Sequence, residues 1–339
     1  MTSSPGVGTG VEQTGRLVPA DVQAVLALVA RATEADGVAP LSEHVLLHLR
    51  TGGQEPGRHL LVRAEATDAT ADQVSGERAS GVVGYAHLDP TDPVEGASAE
   101  LVVDPDHRRR GHGRRLVEAL LETTATLGDG RLRLWAHGEA PDAGALATAM
   151  GFDRARELWQ MRRSLYASLP RAEVPEGVAV RTFRPGDEDA VLAVNAAAFA
   201  SHPEQGRWTR ADVDARVAED WFDPAGLFLA ERADGGPDDG ELLAFHWTKV
   251  HGATHHRHGD GAEHGHDPIG EVYVVGVSPA AQGRGLGRLV TLVGLRHLRE
   301  RGLTQAMLYV DADNTAAVRT YTALGFGRWD VDVQFGRKV

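Results

Sequence analysis

The stretch "VVGVSPAAQGRGLGRLV" (residues 274–290) concentrates the residue types from which an anion site is built. A β-branched run meets a proline, and Gln282-Gly283-Arg284-Gly285-Leu286-Gly287-Arg288 then leads into a helical pattern. Leu286, Leu289, Val290 and Val293 recur at i, i+3, i+4 and i+7, the apolar stripe of an amphipathic helix that starts at the glycines. A helix start leaves backbone N–H groups unpaired and carries partial positive charge. Glycines let that backbone approach a phosphate, and arginines add charge-assisted bonds. The chemistry expected is a pyrophosphate cradle, although a lone GxG at a helix start also serves as a plain tight turn. Walker A is excluded because no Gly-Lys-Ser/Thr follows. A dinucleotide fingerprint is disfavoured by the glycine spacing and by the lack of an acid closing a second parallel strand.

The cradle occurs twice. Aligning Pro105 of "LVVDPDHRRRGHGRRLV" (101–117) with Pro279 puts Arg108 on Gln282, Gly111 on Gly285, Gly113 on Gly287 and Arg114 on Arg288. The same offset carries "LRLWAHG" (132–138) onto "AMLYVDA" (306–312), and Met150-Gly151-Phe152 onto Leu324-Gly325-Phe326. Register held over about fifty residues indicates two tandem copies of one domain. Upstream, "ADVQAVLALVARATEADG" and "GDEDAVLAVNAAAFA" read as helices leading to strands "HLLVRAE" and "LFLAERA", then to "GVVGYAHL" and "ELLAFHWTKV". Each half is helix, antiparallel strands, glycine loop, helix, strand, helix and closing strands, an α+β fold of the αβα sandwich kind. The expected division is a disordered tail over 1–15, a first domain over 16–163, a linker over 164–177 and a second domain over 178–339.

Bulk properties agree with two globular domains. The chain has 339 residues and is 42% hydrophobic, enough for each half to bury its own core. No apolar run approaches the ~18 residues of a membrane span. The first fifteen residues lack the basic start and apolar core of a signal peptide, so the cytoplasm is the expected compartment. With no cysteine, disulfides, thiolate metal sites and cysteine nucleophiles are excluded. A net charge of −13 argues against nucleic acid and anionic membrane surfaces as partners. A polyanionic ligand must therefore be met by a local device.

A Val-rich strand, a proline and Q/R-x-x-G-x-G/A, present twice at matched spacing, resemble the acyl-CoA signature of the GNAT acetyltransferases. The resemblance implies two tandem GNAT domains and acetyl-CoA as co-substrate, with one molecule per domain as the fullest occupancy. In the second copy it assigns the cofactor to Val275, Gly276 and Val277 of the strand and Gln282, Gly283, Arg284, Gly285, Leu286, Gly287 and Arg288 of the loop. In the first it assigns Leu101, Val102, Val103, Arg109, Arg110, Gly111, His112, Gly113 and Arg114.

In "LYVDADNTAAVRTYTALGF" (308–326), Asn314 opens a helix and Tyr321 lies two turns on, on the same face. The family places such an asparagine, with the turn Thr315, Ala316, Ala317, Val318 and Arg319, near the pantetheine. It places the tyrosine near the sulfur, where a phenol can protonate a departing thiolate. Glu271 begins "EVYVVGV" and suits removal of a proton from an incoming ammonium, directly or through a water. The first copy has Ala97, Ala140 and Ala147 in place of Glu271, Asn314 and Tyr321, with Glu100 as a displaced alternative base. The second copy is thus expected to be catalytic and the first to bind cofactor without turnover.

Further strings, among them "DGVAPLSEHVL", "AFASHPEQGRWT" and "FHWTKVH", resemble tandem GNAT enzymes that acetylate the cysteinyl amine of a glucosamine–inositol conjugate. That resemblance implies Glu43, Glu204, Lys249, Glu271 and Tyr309 as substrate-binding residues. Each also has a duller reading: a first-turn carboxylate, loop polarity, an edge lysine, a strand-end charge, a core aromatic. Transfer to another amine, such as an aminoglycoside or a protein N-terminus, and a non-catalytic acetyl-CoA sensor remain as alternatives. Retention of Asn314, Tyr321 and Glu271 in one half argues against the sensor. The tract "HGATHHRHGDGAEHGHD" (251–267) holds six histidines without fixed ligand spacing. It reads as a disordered surface insertion, and no metal is expected. A monomer is the expected state.

Overall fold

Hydrophobic runs and glycine breaks resolve into the expected elements in a computed structural model, which describes residues 10–338 except 52–56, 65–80, 93–94, 128–129, 201–204, 253, 258–262 and 267. The first repeat runs β1 (Glu12–Thr14), α1 (Pro19–Asp36), α2 (Glu43–Thr51), β2 (Arg58–Arg63), β3 (Val82–Asp89), β4 (Ala97–Val103), α3 (His112–Leu127), β5 (Arg131–Ala136), α4 (Pro141–Ala149) and β6 (Asp153–Ser164). The second begins with β7 (Val178–Thr182), α5 (Glu188–Ala198), α6 (Arg210–Val217), β8 (Leu227–Arg232) and β9 (Leu242–His251), followed by β10 (Thr254–Arg257) and β11 (Glu263–His266). It closes with β12 (Ile269–Val277), α7 (Leu286–Glu300), β13 (Gln305–Asp311), α8 (Thr315–Ala323) and β14 (Gly327–Lys338).

The chain packs as two units, Met1–Leu158 with Val331–Val339, and Trp159–Asp330. These divisions differ from the expected boundaries at 163 and 178. The closing strand of each repeat crosses the division, because the end of β14 pairs antiparallel with β5 from Val333↔Ala136 to Lys338↔Arg131. Unit 1 carries the strand order β1-β2-β3-β4-β5-β14, and unit 2 carries β6-β13-β12-β9-β8-β7. The pairs β4–β5 and β12–β13 run parallel. The pairs β1–β2, β2–β3, β3–β4, β7–β8, β8–β9 and β9–β12 run antiparallel.

Two expectations of disorder are corrected. Glu12–Thr14, placed in the tail, pairs with β2 from Glu12↔Leu61 to Thr14↔His59, and Arg63 Nε donates to the Glu12 carboxylate at 2.9 Å. Main-chain groups make that pairing, so side-chain composition did not reveal it; the tail's residues 1–9 lie outside the described residues. The histidine-rich tract likewise contains a hairpin, β10 against β11, from Thr254↔His266 to Arg257↔Glu263.

β2, β3, β8 and β9 are buried along nearly their whole length and are therefore mostly apolar without alternation. On β2, Leu60 and Val62 enter a core with Leu116 and Leu120 of α3, while Leu61 joins Leu28 of α1 and Leu41 on the other side. In unit 2, α7 buries Leu286, Leu289, Val290, Leu292, Leu295 and Leu298, with Val293 only partly covered. Gly294 lets this helix close on β9: a Cβ there would stand 2.2 Å from the His246 ring. No helix among the described residues is long and apolar enough to cross a membrane.

Unit 1 also buries a set of imidazoles. His48 of α2 lies 5.0 Å from His87 of β3 and 6.0 Å from His59 of β2, ring centroid to centroid. His59 Nδ1 is 2.8 Å from the Tyr85 hydroxyl. Burial, reinforced by neighbouring imidazoles, pushes His59 down to about 4 and His87 to about 3. A histidine whose folded pKa is depressed adds stability above its unfolded value, and that stability is lost as the pH falls through the folded value. Thermal melts from pH 7 to 5 should show the melting temperature of the wild type falling by on the order of 5–10 °C. Replacement of His87 by Gln should flatten that slope, and an unchanged slope would show that the cluster is not the acid-labile element.

Candidate active site

The second glycine loop has the backbone that an anion cradle requires. After β12, a 3₁₀ turn over Pro279–Ala281 brings the chain to the exposed Gln282–Gly285 segment. Gly283 and Gly285 adopt φ of +79° and +76°, the left-handed region where a side chain would be strained. Gly285 is the N-cap of α7 and offers no side chain to its first turn. The amides of Gly283 to Arg288 find no acceptor among the described residues. Arg284 and Arg288 are exposed and take no ionic partner among them.

Beside the loop, two parallel strands part. β12 and β13 pair only from Gly270↔Ala306 to Val272↔Leu308. A bulge between Val272 and Val274 shifts the register of β12 against β9. Val275, Gly276 and Val277 continue to pair with β9 but have no partner on β13, so one main-chain edge is open just before the cradle. A wedge of free amides ending at a phosphate cradle fits a long thioester with a diphosphate tail, and the residues present suit acetyl-CoA.

The charged groups gather where the strands are still paired. Glu271 lies opposite Lys249 on β9 and Met307 on β13, and is only 7% exposed. Its Oε2 is 2.7 Å from His251 Nε2. The Lys249 ammonium sits 4.5 Å from the Trp221 ring and 5.3 Å from that of Tyr273, a cation–π setting. Tyr309 is half-exposed, and its hydroxyl accepts from Gln160 Nε2 at 2.8 Å.

Asn314 is the N-cap of α8, its side chain accepting from the Ala317 amide at 3.1 Å. Thr315 to Arg319 form the first turn and a half of that helix. Ala317, Val318 and Tyr321 lie against the core containing Val272, Leu308 and Val310. Burial pushes the Tyr321 phenol up to about 12, which keeps its proton in place across the neutral range.

Of the other substrate candidates, Glu43 is the first residue of α2 in unit 1, in the first-turn position read from sequence. Glu204 lies outside the described residues. His251 was missed, having been absorbed into the histidine-rich tract. The signal was present in "HWTKVH": period-two alternation puts Lys249 and His251 on one face of β9.

Unit 1 repeats the wedge with different contents. β4 and β5 pair from Ala97↔Leu132 to Ala99↔Leu134 and then part. A cavity of about 860 Å³ follows, lined by Leu101, Val102, Val103, the Arg108–Arg114 loop, Trp135 and His137. Arg109 holds a left-handed φ of +62° where the second loop has Gly283. The Arg108 guanidinium is engaged by both oxygens of Asp36 at 2.7 Å. Glu100, read as a displaced base, accepts from the Ser42 amide at 2.5 Å and lies 3.6 Å from His137 Nε2. His137 Nδ1 is 2.9 Å from Asp332. Burial opposes charge on both Glu100 and His137, but their mutual contact and the added bonds outweigh it. Glu100 is held below the usual carboxylate range and His137 is pushed up to about 10. Glu100 is thus committed to a buried ionic cluster and is a poor candidate for a base.

A model of the acetyltransferase (GNAT) family matches residues 43–152 and 194–326. The chain belongs to the acetyltransferase (GNAT) family. A protein of Streptosporangium roseum named mycothiol acetyltransferase is 54% identical, over 96% of this chain and 98% of that protein. One of the same name from Acidothermus cellulolyticus is 55% identical, over 96% and 94%. Among solved structures, a tandem GNAT protein from the clavulanic acid biosynthesis pathway aligns over 97% of this chain and 98% of its own, with 21% identity and a TM-score of 0.67. A GCN5-related N-acetyltransferase from Sphaerobacter thermophilus covers 98% and 97%, with 24% identity and a TM-score of 0.62. The GNAT fold, in two tandem copies, is the one expected from the duplicated signature. The chain is an N-acetyltransferase, and acetyl-CoA is the acyl donor of this GNAT family.

His137 supports a test of the first wedge. Its folded pKa is raised, so its stabilising contribution is complete below the unfolded value of about 6.5 and is lost as the pH rises toward 10. In melts from about pH 7 to 10 the wild type should lose stability more steeply than His137→Asn. Parallel curves would show that the cluster carries no buried imidazolium.

Proposed function

We propose that the chain transfers an acetyl group from acetyl-CoA in mycothiol biosynthesis, and that the acceptor is the cysteinyl amine of 1D-myo-inositol 2-(L-cysteinylamino)-2-deoxy-glucopyranoside. The observation that carries this reading is in unit 2, where unpaired cradle amides, an opened strand edge and the buried Glu271 carboxylate come from one strand and the loop that follows it. The high identity to proteins named mycothiol acetyltransferase supports the choice of pathway. The alternatives, another amine or an acetyl-CoA sensor, have no comparable support.

Acetyl-CoA supplies the activated acetyl group. The Gln282–Arg288 loop binds the pyrophosphate, and the amides of Val275–Val277 bind the pantetheine and polarise the carbonyl. Glu271 takes a proton from the substrate ammonium, so that the free amine can attack. Tyr321, whose phenol holds its proton across the neutral range, donates to the departing thiolate. Asn314, already used as the cap of α8, holds its helix start beside the pantetheine. Lys249 and Tyr309 are proposed substrate contacts within unit 2. Glu43 and Glu204 rest on the family resemblance. The first cradle is proposed to hold acetyl-CoA without turnover, since Ala97, Ala140 and Ala147 supply no acid or base. We place the enzyme in the cytoplasm, with its co-substrate, as a monomer.

Glu271→Gln should lower kcat by about 10²–10³-fold and abolish its rise with pH, with acetyl-CoA affinity within about twofold of wild type. Tyr321→Phe should lower kcat by about 10–100-fold with the acidic limb of the profile retained. A wild-type pH–rate profile in either variant would remove that residue from its role. Equilibrium titration with acetyl-CoA should resolve two sites per chain, and Gly113→Glu should remove one of them while sparing turnover. A single site in the wild type would overturn occupancy of the first cradle.

A further inference from the structure

We infer that His251 is the proton outlet of the active site, a positioning residue that acts through Glu271. The inference rests on the proposed reading of Glu271 as the base. The proton balance requires an outlet. An ammonium and a thioester give an amide, a thiol and one free proton. The first ammonium proton goes to Glu271, and the amine nitrogen bonds the acetyl carbon as the carbon–sulfur bond breaks. The thiolate takes the Tyr321 proton, and the second proton lost by the nitrogen restores the phenol. What remains is the proton on Glu271, which must reach water before the next cycle.

Glu271 cannot release it directly, because its side chain is only 9% exposed, whereas that of His251 is 37% exposed. The two are joined at 2.7 Å between Nε2 and Oε2. The other groups near Glu271 on its own strand and its paired strands do not provide a route. Lys249, opposite it on β9, is buried and holds its ammonium over Trp221 and Tyr273. Tyr273 of β12 accepts from the Arg216 guanidinium at 2.8 Å. On β13, Met307 has no exchangeable proton, and the Tyr309 hydroxyl accepts from Gln160. His251 is the last residue of β9 and its side chain is partly exposed, so its ring links a buried oxygen to bulk water. The ring takes the carboxyl proton at Nε2 and releases one to water through its exposed part, exchanging tautomers there.

Steady-state kinetics of the full-length enzyme, with acetyl-CoA and the cysteinyl glucosamine–inositol amine in a dilute, bulky buffer, test the inference. His251→Ala should lower kcat about tenfold with KM for acetyl-CoA within about twofold, and added imidazole should restore kcat in proportion to its concentration. His251→Asn keeps a hydrogen-bond donor but cannot pass a proton, so it should be equally slow and equally rescued. Unchanged kcat in His251→Ala, wild-type rates in His251→Asn, or a loss that imidazole does not restore would each overturn the relay. Full activity in Glu271→Gln would instead mean that the base assignment had failed, and the relay with it.

Discussion

Two parallel strands that hydrogen-bond for three residue pairs and then separate set the terms for the rest of unit 2. A buried amide without an acceptor costs about 1–3 kcal/mol, so a sheet has every reason to remain zipped. Here the bulge between Val272 and Val274 lets β12 stay bonded to β9 while its other edge turns from β13. Past the 3₁₀ turn over Pro279–Ala281, the chain enters the glycine loop, where the amides of Gly283 to Arg288 find no acceptor among the described residues. The resulting line of donors is a fixed, preorganised field that needs no rearrangement to meet a thioester oxygen and a diphosphate. Gly294 helps to fix it: by letting α7 settle against His246, it holds the helix start at the end of β12.

The same separation occurs in unit 1, and the contrast shows how one scaffold supports different roles. There the opening between β4 and β5 is bounded by a carboxylate–imidazolium–carboxylate cluster of Glu100, His137 and Asp332. One imidazolium between two carboxylates ties the three side chains to one another, so they are not offered to a ligand. In unit 2 the carboxylate at the opening has a partly exposed imidazole beside it, and the phenol on α8 packs against the core and holds its proton across the neutral range. Chemistry and structural reinforcement thus differ by a handful of side chains set on the same strand geometry.

An acidic chain that binds a polyanion also becomes intelligible. Charges farther away than about 10 Å are screened at ordinary salt, so a net charge of −13 matters less than the amides, helix terminus and arginines within one loop. Arg284 and Arg288 take no ionic partner among the described residues, whereas Arg108, at the position of Gln282 in the first loop, is committed to Asp36. The more arginine-rich motif is therefore not the one with more arginines free for a phosphate at its first position.

Sequence alone determined what depends on local spacing. The duplication, the glycine loops, the apolar face of α7, the position of Asn314 at a helix start and the absence of Glu271 and Tyr321 counterparts in the first half were all legible. They follow from turn chemistry and from periods of 3.6 and 2 residues. Only the tertiary structure decided what depends on partners distant in the chain. It paired Glu271 with His251 across the β9–β12 register, engaged Glu100 with His137 and Asp332, and placed residues 331–339 with unit 1. It also folded Glu12–Thr14 onto β2 through main-chain bonds that leave no mark on side-chain composition. Register and burial are properties of two segments at once, so a residue's own neighbours cannot report whether its charge meets water, an ion or another strand.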